Sequence, residues 1–190
     1  MGKILCFVPE QYADFEVVLA LHLLKDVGKR EIVTVGYSPD PVVSYSGVKT
    51  LPDCTLEEAA ALGDAEAFLM PGGPIRERSE RLVSFIRTMD ERQILLAAIC
   101  FGPQYLARAG ALDARRYTTS CTPAHIRRLG IADPFPRGNY ADERIVQDGS
   151  VITAKGHAFV DFAFAVLEYV GYAPADREAL RQYRRDVENR

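Results

Sequence analysis

The residue best placed to do chemistry is Cys100, because of what precedes and follows it. Ile94–Ile99 is an unbroken run of small and aliphatic residues, the pattern of a strand covered on both faces in the middle of a parallel sheet. Directly after the cysteine the period changes. Gly102 permits a tight turn, Pro103 suits a first helical turn, where its missing N–H is no loss, and Gly110 can end the helix. The spacing predicts a strand, a cysteine at the elbow and a helix over Gly102–Ala109. Free N–H groups and the positive end of that helix favour a thiolate, the nucleophilic form of cysteine. This is the pattern of a nucleophile elbow, with Cys in place of Ser and without the full Gly-x-Ser-x-Gly spelling. An inert buried cysteine satisfies the same pattern, since free cysteine is among the most often buried residues.

A cysteine nucleophile needs a base or a pre-formed thiolate, which directs attention to the three histidines, His22, His125 and His157. His22 falls with Phe15, Val18, Leu19 and Leu23 at helical spacing, so it reads as a packed residue on the apolar side of a helix over Asp14–Val27. His125 reads as a surface residue of a short helical turn, Ala124–Leu129. His157 follows a strand, Val151–Ala154, and opens a helix, which places it at the same end of the sheet as Cys100. It is the candidate base. Cys121 beside Ser120 is a candidate resolving thiol for an oxidised Cys100, if the two Cα atoms lie within about 7 Å.

The elements that must position these residues alternate. Strand patterns at Lys3–Val8, Glu31–Val35, Ala67–Met70, Ile94–Ile99 and Val151–Ala154 are separated by helix patterns at Asp14–Val27, Thr55–Ala61, Ser79–Asp90 and Gly102–Ala109. Thr55 with Glu58 spells a capping box, and Leu82, Phe85, Ile86 and Met89 form a helical stripe. A short hairpin is expected around Ser46-Gly47, a second across Asp148-Gly149, and a short strand at Arg116–Ser120. Phe159–Val170 reads as an apolar helix and Asp176–Asn189 as a charged one docked by Leu180, Tyr183 and Val187. Such alternation predicts a three-layer α/β domain with a mostly parallel sheet. Sites in such sheets collect at the carboxyl ends of strands, here after Val8, at Gly72-Gly73 and at the Cys100 elbow.

At 190 residues and 48% hydrophobic content the chain fills one core, so residues 1–190 are read as a single domain. A net charge of −3 without a sustained Lys/Arg run gives no footprint for nucleic acid, and no apolar run approaches membrane-spanning length. A small molecule is the expected partner. Cys6, Cys54, Cys100 and Cys121 lie far apart without a C-x-x-C pair, which suggests neither a disulfide framework nor a zinc site. No metal or cofactor is expected. The run Ile4–Val8 is too short for a signal segment, and a reducing, cytoplasmic location is expected.

Three stretches in this order, Ala13-Asp14-Phe15-Glu16, Met70-Pro71-Gly72-Gly73 and Ala97-Ala98-Ile99-Cys100-Phe101-Gly102-Pro103, resemble the ThiJ/PfpI superfamily. The Asp148-Gly149 hairpin and Thr153-Ala154-Lys155-Gly156 are also similar to it, and the likeness spans nearly the whole chain. The resemblance implies a flavodoxin-like fold, related to class I glutamine amidotransferase domains, and a homodimer. It further implies that Cys100 is the nucleophilic or redox-active cysteine, that Glu16 hydrogen-bonds its sulfur, and that the Gly73 and Phe101 N–H groups form an oxyanion hole. Many members carry a histidine where Thr118-Thr119-Ser120-Cys121 stands here. The third position is therefore open among Ser120, His125 and His157, with Gly72, Ser120 and Cys121 as pocket residues. His157 lacks the Glu of the amidotransferase His-x-Glu pair, which argues against glutamine amidotransferase activity.

The leading expectation is a cysteine-dependent enzyme acting on a small electrophilic carbon: a carbonyl, amide or isonitrile. The alternatives are a redox or stress sensor in which an oxidant converts Cys100 to a sulfinate without turnover, and a non-catalytic ligand-binding module.

Overall fold

Residues 2–188 are described by the computed structural model of the chain. β1 (Lys3–Phe7), β2 (Glu31–Gly36), β6 (Ala65–Met70), β7 (Leu95–Ile99) and β9 (Val151–Ala154) form the parallel body of one sheet, in which β5 (Cys54–Thr55) and β8 (Ile145–Asp148) are the edges. The order is β5-β2-β1-β6-β7-β9-β8, and only β8 runs antiparallel, paired to β9 through the expected Asp148-Gly149 turn. β3 (Val42–Val43) and β4 (Lys49–Thr50) make the separate small hairpin around Ser46-Gly47.

The strands are apolar on both faces because both are covered. Leu95, Ala97 and Ile99 of β7 pack with Ile4, Cys6 and Leu69 into one core, and Leu96 and Ala98 pack with Phe7, Phe68 and Met70 into the other. The helices α1 (Phe15–Asp26) and α6 (Phe159–Val170) close the first face through Val17, Ala20, Leu24, Phe162 and Leu167. On the second face lie α2 (Leu56–Ala60), α3 (Glu80–Glu91), α4 (Pro103–Ala109) and α5 (Pro123–Leu129), using Leu56, Ile86, Leu106 and Ile126. Each such aliphatic side chain contributes about 1.5–3 kcal/mol through burial. The Thr55/Glu58 capping box is present at the start of α2, and Gly110 ends α4 in the left-handed conformation. The last helix, α7 (Arg177–Glu188), docks by Leu180 while Tyr183 and Val187 remain exposed; its expected end at Asn189 lies outside the described residues.

Two expectations are corrected. The buried stripe of α1 is Glu16, Val17, Ala20, Leu23 and Leu24, whereas Phe15, Val18 and His22 are exposed. Nearly every position from 15 to 24 is apolar, so two stripes were compatible with the period, and small Ala20 lets α1 approach α6. Arg116–Ser120 forms no strand beyond a single Tyr117–Tyr140 bridge. Its backbone is satisfied elsewhere: Thr118 N–H donates to Thr153 Oγ1 and Ser120 N–H to the Cys100 carbonyl.

Candidate active site

β7 ends by delivering Cys100 at φ +61°, a left-handed conformation that costs a non-glycine residue about 1–3 kcal/mol. The surroundings hold it there. Cys100 N–H donates to Ala154 O at 2.8 Å, and its carbonyl accepts from Ser120 N–H at 3.0 Å and Thr119 Oγ1–H at 2.7 Å. The segment that failed to become a strand thus braces the elbow. Gly102 then passes so close to β6 that a Cβ there would meet Met70 O at 2.3 Å.

Glu16, on the inward stripe of α1, is 2% exposed and lies beside the Cys100 sulfur: a Cβ built on Gly156 would stand 3.1 Å from Glu16 Oε1 and 3.0 Å from that sulfur. Its Oε2 accepts from Gly72 N–H at 2.7 Å. Burial pushes the Glu16 carboxyl up, against the lowering effects of Cys100 and the Gly72 N–H. Burial also pushes the Cys100 thiol up to about 12, helped by the charge and hydrogen bond of Glu16 and opposed by the Ser120 hydroxyl and the Phe101 N–H. The expectation that the helix start alone would favour a thiolate is therefore corrected: desolvation and the neighbouring carboxylate outweigh it. Burial thus raises both acids, and the Glu16 carboxylate adds to the rise of the thiol to about 12.

The donors around the unit are fixed. Ser120 Oγ accepts from Gly156 N–H at 2.9 Å, leaving its own proton for the sulfur. A Cβ on Gly72 would meet Glu16 Oε2 at 2.7 Å and Cys100 Cβ at 2.9 Å, and one on Gly156 would meet the sulfur at 3.0 Å. Both glycines are required by close approach. The Gly73 N–H, in a backbone of φ +144°, finds no acceptor among the described residues.

The sulfur faces a cavity of about 550 Å³ whose walls include Phe15, Tyr45, Gly73, Phe101 and His125. His125 packs edge-on against Phe101 at 4.9 Å between ring centroids. Sequence reasoning assigned it to the surface; it lines the cavity because Thr122 caps α5, accepting from His125 N–H at 3.2 Å, and α5 follows directly on the segment bracing Cys100. The Thr122-Pro123 start of a helix was the available signal. His157 is not brought to the sulfur. The 3₁₀ turn Gly156–Ala158 exposes its side chain, which lines a different cavity with Arg144, Asp161 and Arg184. Cys121 is buried in the core on the α3–α5 face, and all four cysteines are free. No group of three His, Cys, Asp or Glu among the described residues could hold a metal ion.

The DJ-1/PfpI family model matches residues 2–169. The chain belongs to the DJ-1/PfpI family. Its relatives in that family include a protein of Pyrococcus furiosus named deglycase PfpI, 27% identical over 80% of this chain and 89% of that one. Another is the Parkinson disease protein 7 homolog of Danio rerio, 27% identical over 82% of each. A DJ-1 superfamily structure from Agrobacterium tumefaciens is 26% identical, covers 99% of this chain and 100% of its own, and superposes with a TM-score of 0.81. The mostly parallel seven-stranded sheet flanked by helices is thus the DJ-1/PfpI fold. No helix among the described residues is long and apolar enough to cross a membrane.

Proposed function

We propose that the protein is a cysteine-dependent enzyme acting on a small electrophilic carbon, of the carbonyl, amide or isonitrile class. The observation that carries this reading is the buried Glu16 carboxyl set against the Cys100 sulfur, which opens toward the cavity lined by Phe15 and His125. The reactive form has the proton on Glu16 and the charge on sulfur. The sulfur forms a bond to the substrate carbon. In a carbonyl or amide the C=O π pair moves to oxygen, and in an amide it returns as the C–N bond breaks and the amine leaves with a proton. In an isonitrile the charge stays on the terminal carbon, which takes the proton to give a thioimidate. The free Gly73 N–H meets that developing charge, Phe101 N–H turns to it from the sulfur as the sulfur's charge is spent, and Glu16 delivers the proton. His125 stands on the cavity wall as the group able to take a proton from water in a second, hydrolytic step.

Relatives named deglycase and one of Bacillus subtilis named an uncharacterized protease support hydrolytic chemistry of this kind. The four unpaired cysteines fit a reducing, cytoplasmic setting, and the chain is taken to work as a homodimer, which light scattering after size exclusion would read. Turnover of a panel of dicarbonyls, amides and isonitriles by wild type and Cys100→Ala tests the proposal; equal turnover by both would sink it.

The stress-sensing alternative has one observation of its own. Ser120 and Phe101 already aim donors at the sulfur and Glu16 could share a proton with an added oxygen, so peroxide treatment followed by intact mass separates selective two-oxygen gain at Cys100 from indiscriminate oxidation.

A further inference from the structure

A second cavity, of about 420 Å³, adjoins the Cys100 cavity; Ile75 and Leu129 line both. Its walls carry Arg76, Arg78 and Arg108 against one carboxylate, Glu77. Arg78 is neutralised by Glu80 at 2.5 Å. Arg76 and Arg108 make no ion pair among the described residues, and the Nε of each is buried without a hydrogen-bond partner. Two guanidinium-bearing residues thus line the cavity without an ion-pair partner, with one exposed carboxylate on the same wall, an imbalance that a bound anion would satisfy.

The arrangement is also rigid. Gln104, fully buried on α4, accepts from Arg76 N–H at 2.9 Å and donates to Pro74 O at 3.1 Å, so the turn carrying Gly73 and Arg76 is fastened to the helix that follows Cys100. Arg76 Nη2 donates to the Glu10 carbonyl, and Arg78 Nη1 to the Arg108 carbonyl at 2.8 Å. Burial and the charge of Arg78 lower Arg108, the sign of a cation short of counter-charge.

We propose that Arg76 and Arg108 form a subsite for the carboxylate or phosphate of an anionic substrate whose electrophilic carbon lies in the neighbouring cavity. This rests on the reading of Cys100 as the nucleophile and sharpens it: the substrates are small carbonyl or amide compounds with an acidic group at the far end. The planar guanidinium forks bind either oxyanion in a two-pronged manner, and the apolar Ile75 and Leu129 between the cavities accept the carbon chain.

The test compares two aromatic disulfides at Cys100, located by peptide mass: dianionic 5,5′-dithiobis(2-nitrobenzoate) and neutral 4,4′-dithiodipyridine. The ratio of their rates in wild type is expected to fall fivefold or more in the Arg76→Gln/Arg108→Gln double variant, in part in Arg76→Gln alone, and with added salt. An unchanged ratio in the folded variants overturns the subsite. If Cys100 is inert to both probes, the nucleophile reading fails, and a second arm decides the subsite by itself. Thermal unfolding of Cys100→Ser is followed in inorganic phosphate and in succinate against sodium chloride of equal ionic strength. Stabilisation by either anion that disappears with both arginines replaced supports the subsite and says which oxyanion it prefers; no arginine-dependent stabilisation overturns it.

Discussion

The molecule contains two cysteines at strand-to-helix junctions, and only one has the makings of a site. Cys54 opens β5, which runs straight into α2; Cys100 follows β7 and precedes α4. At Cys54 the helix start is already occupied: Thr55 Oγ1 accepts from Glu58 N–H at 3.3 Å and Glu58 Oε2 from Thr55 N–H at 2.8 Å. The thiol donates weakly to Thr34 O at 4.0 Å, and burial, Glu58 and Asp53 raise it. At Cys100 the helix start has no side-chain cap, the backbone is bent to φ +61°, and the neighbouring acid is buried, its carboxyl raised. Both thiols are raised by burial and by neighbouring carboxylates. The acids beside Cys54 only repel a thiolate, whereas Glu16 can take the sulfur's proton and leave the charge on sulfur.

The largest separation between the two is expected in turnover. Cys100→Ala should cost on the order of a thousandfold or more in kcat/KM on any substrate found, and Cys54→Ala should leave it within a factor of two. The same assay on a Cys54→Ala/Cys121→Ala double variant excludes a resolving thiol if activity persists. The next largest effect is geometric. In Gly72→Ala the new Cβ must push apart Glu16 Oε2 and Cys100 Cβ, now 2.7 and 2.9 Å from its position. A displacement of that size at reacting groups costs about a hundredfold. No equivalent glycine crowds Cys54, so its alkylation rate serves as the internal control in the same sample.

What the sequence could convey follows from the range of each interaction. β7, α4, the two hairpins and the Thr55 cap were legible because each is written in adjacent residues: an apolar run, Pro103 and Gly110, Asp148-Gly149, Thr55 with Glu58. Glu16 was visible only through its likeness to a family motif, since a carboxylate on a helix reads as solvated until α1 is known to turn that face inward. His125 and His157 exchanged places for the same reason. Which way a side chain leaves a short turn depends on the Ser120–Gly156 and Thr122–His125 hydrogen bonds, and neither has a sequence period. Arg116–Ser120 had strand composition and lost the strand to bonds with Thr153 and Cys100, residues far along the chain or on another element.

The proton shared by Glu16 and Cys100 gives the comparison a pH axis. In wild type, Cys100 alkylation should acquire its first limb where Glu16 titrates, above the ordinary carboxylate range, because loss of one proton from the unit populates the thiolate with Glu16 protonated. Glu16→Gln removes that limb. It also removes the carboxylate charge that helps hold the thiol up to about 12, so the single remaining step moves down. The two rate profiles should therefore cross, wild type being faster just above the pH where Glu16 titrates and the variant gaining as pH rises further; parallel profiles would refute a shared proton. Stability moves in step. A carboxyl raised by burial contributes stability that is complete below the unfolded value, ~4.3, and is lost as pH rises through the folded one. Glu16→Gln does not titrate, so its Tm should gain on wild type as pH rises from the ordinary carboxylate range through the raised value of the folded Glu16. Cys54 alkylation should show none of this.

The smallest effect sharpens the comparison from the other side. Thr55→Ala removes the acceptor for Glu58 N–H and half of the capping box, and should cost about 1 kcal/mol, seen as a Tm lower by roughly 2–4 °C. It also leaves the first amides of α2 uncapped beside Cys54, which imitates the open helix start at Cys100. If an open helix start were enough to activate a cysteine, Cys54 would now alkylate faster at neutral pH. The expectation is that it does not. Asp53 and Glu58 remain beside it and raise its thiol; both are exposed and have no buried proton to exchange with the sulfur. A slow Cys54 in Thr55→Ala would place the activation of Cys100 in its contact with Glu16, and a fast one would place it in the backbone donors that begin α4.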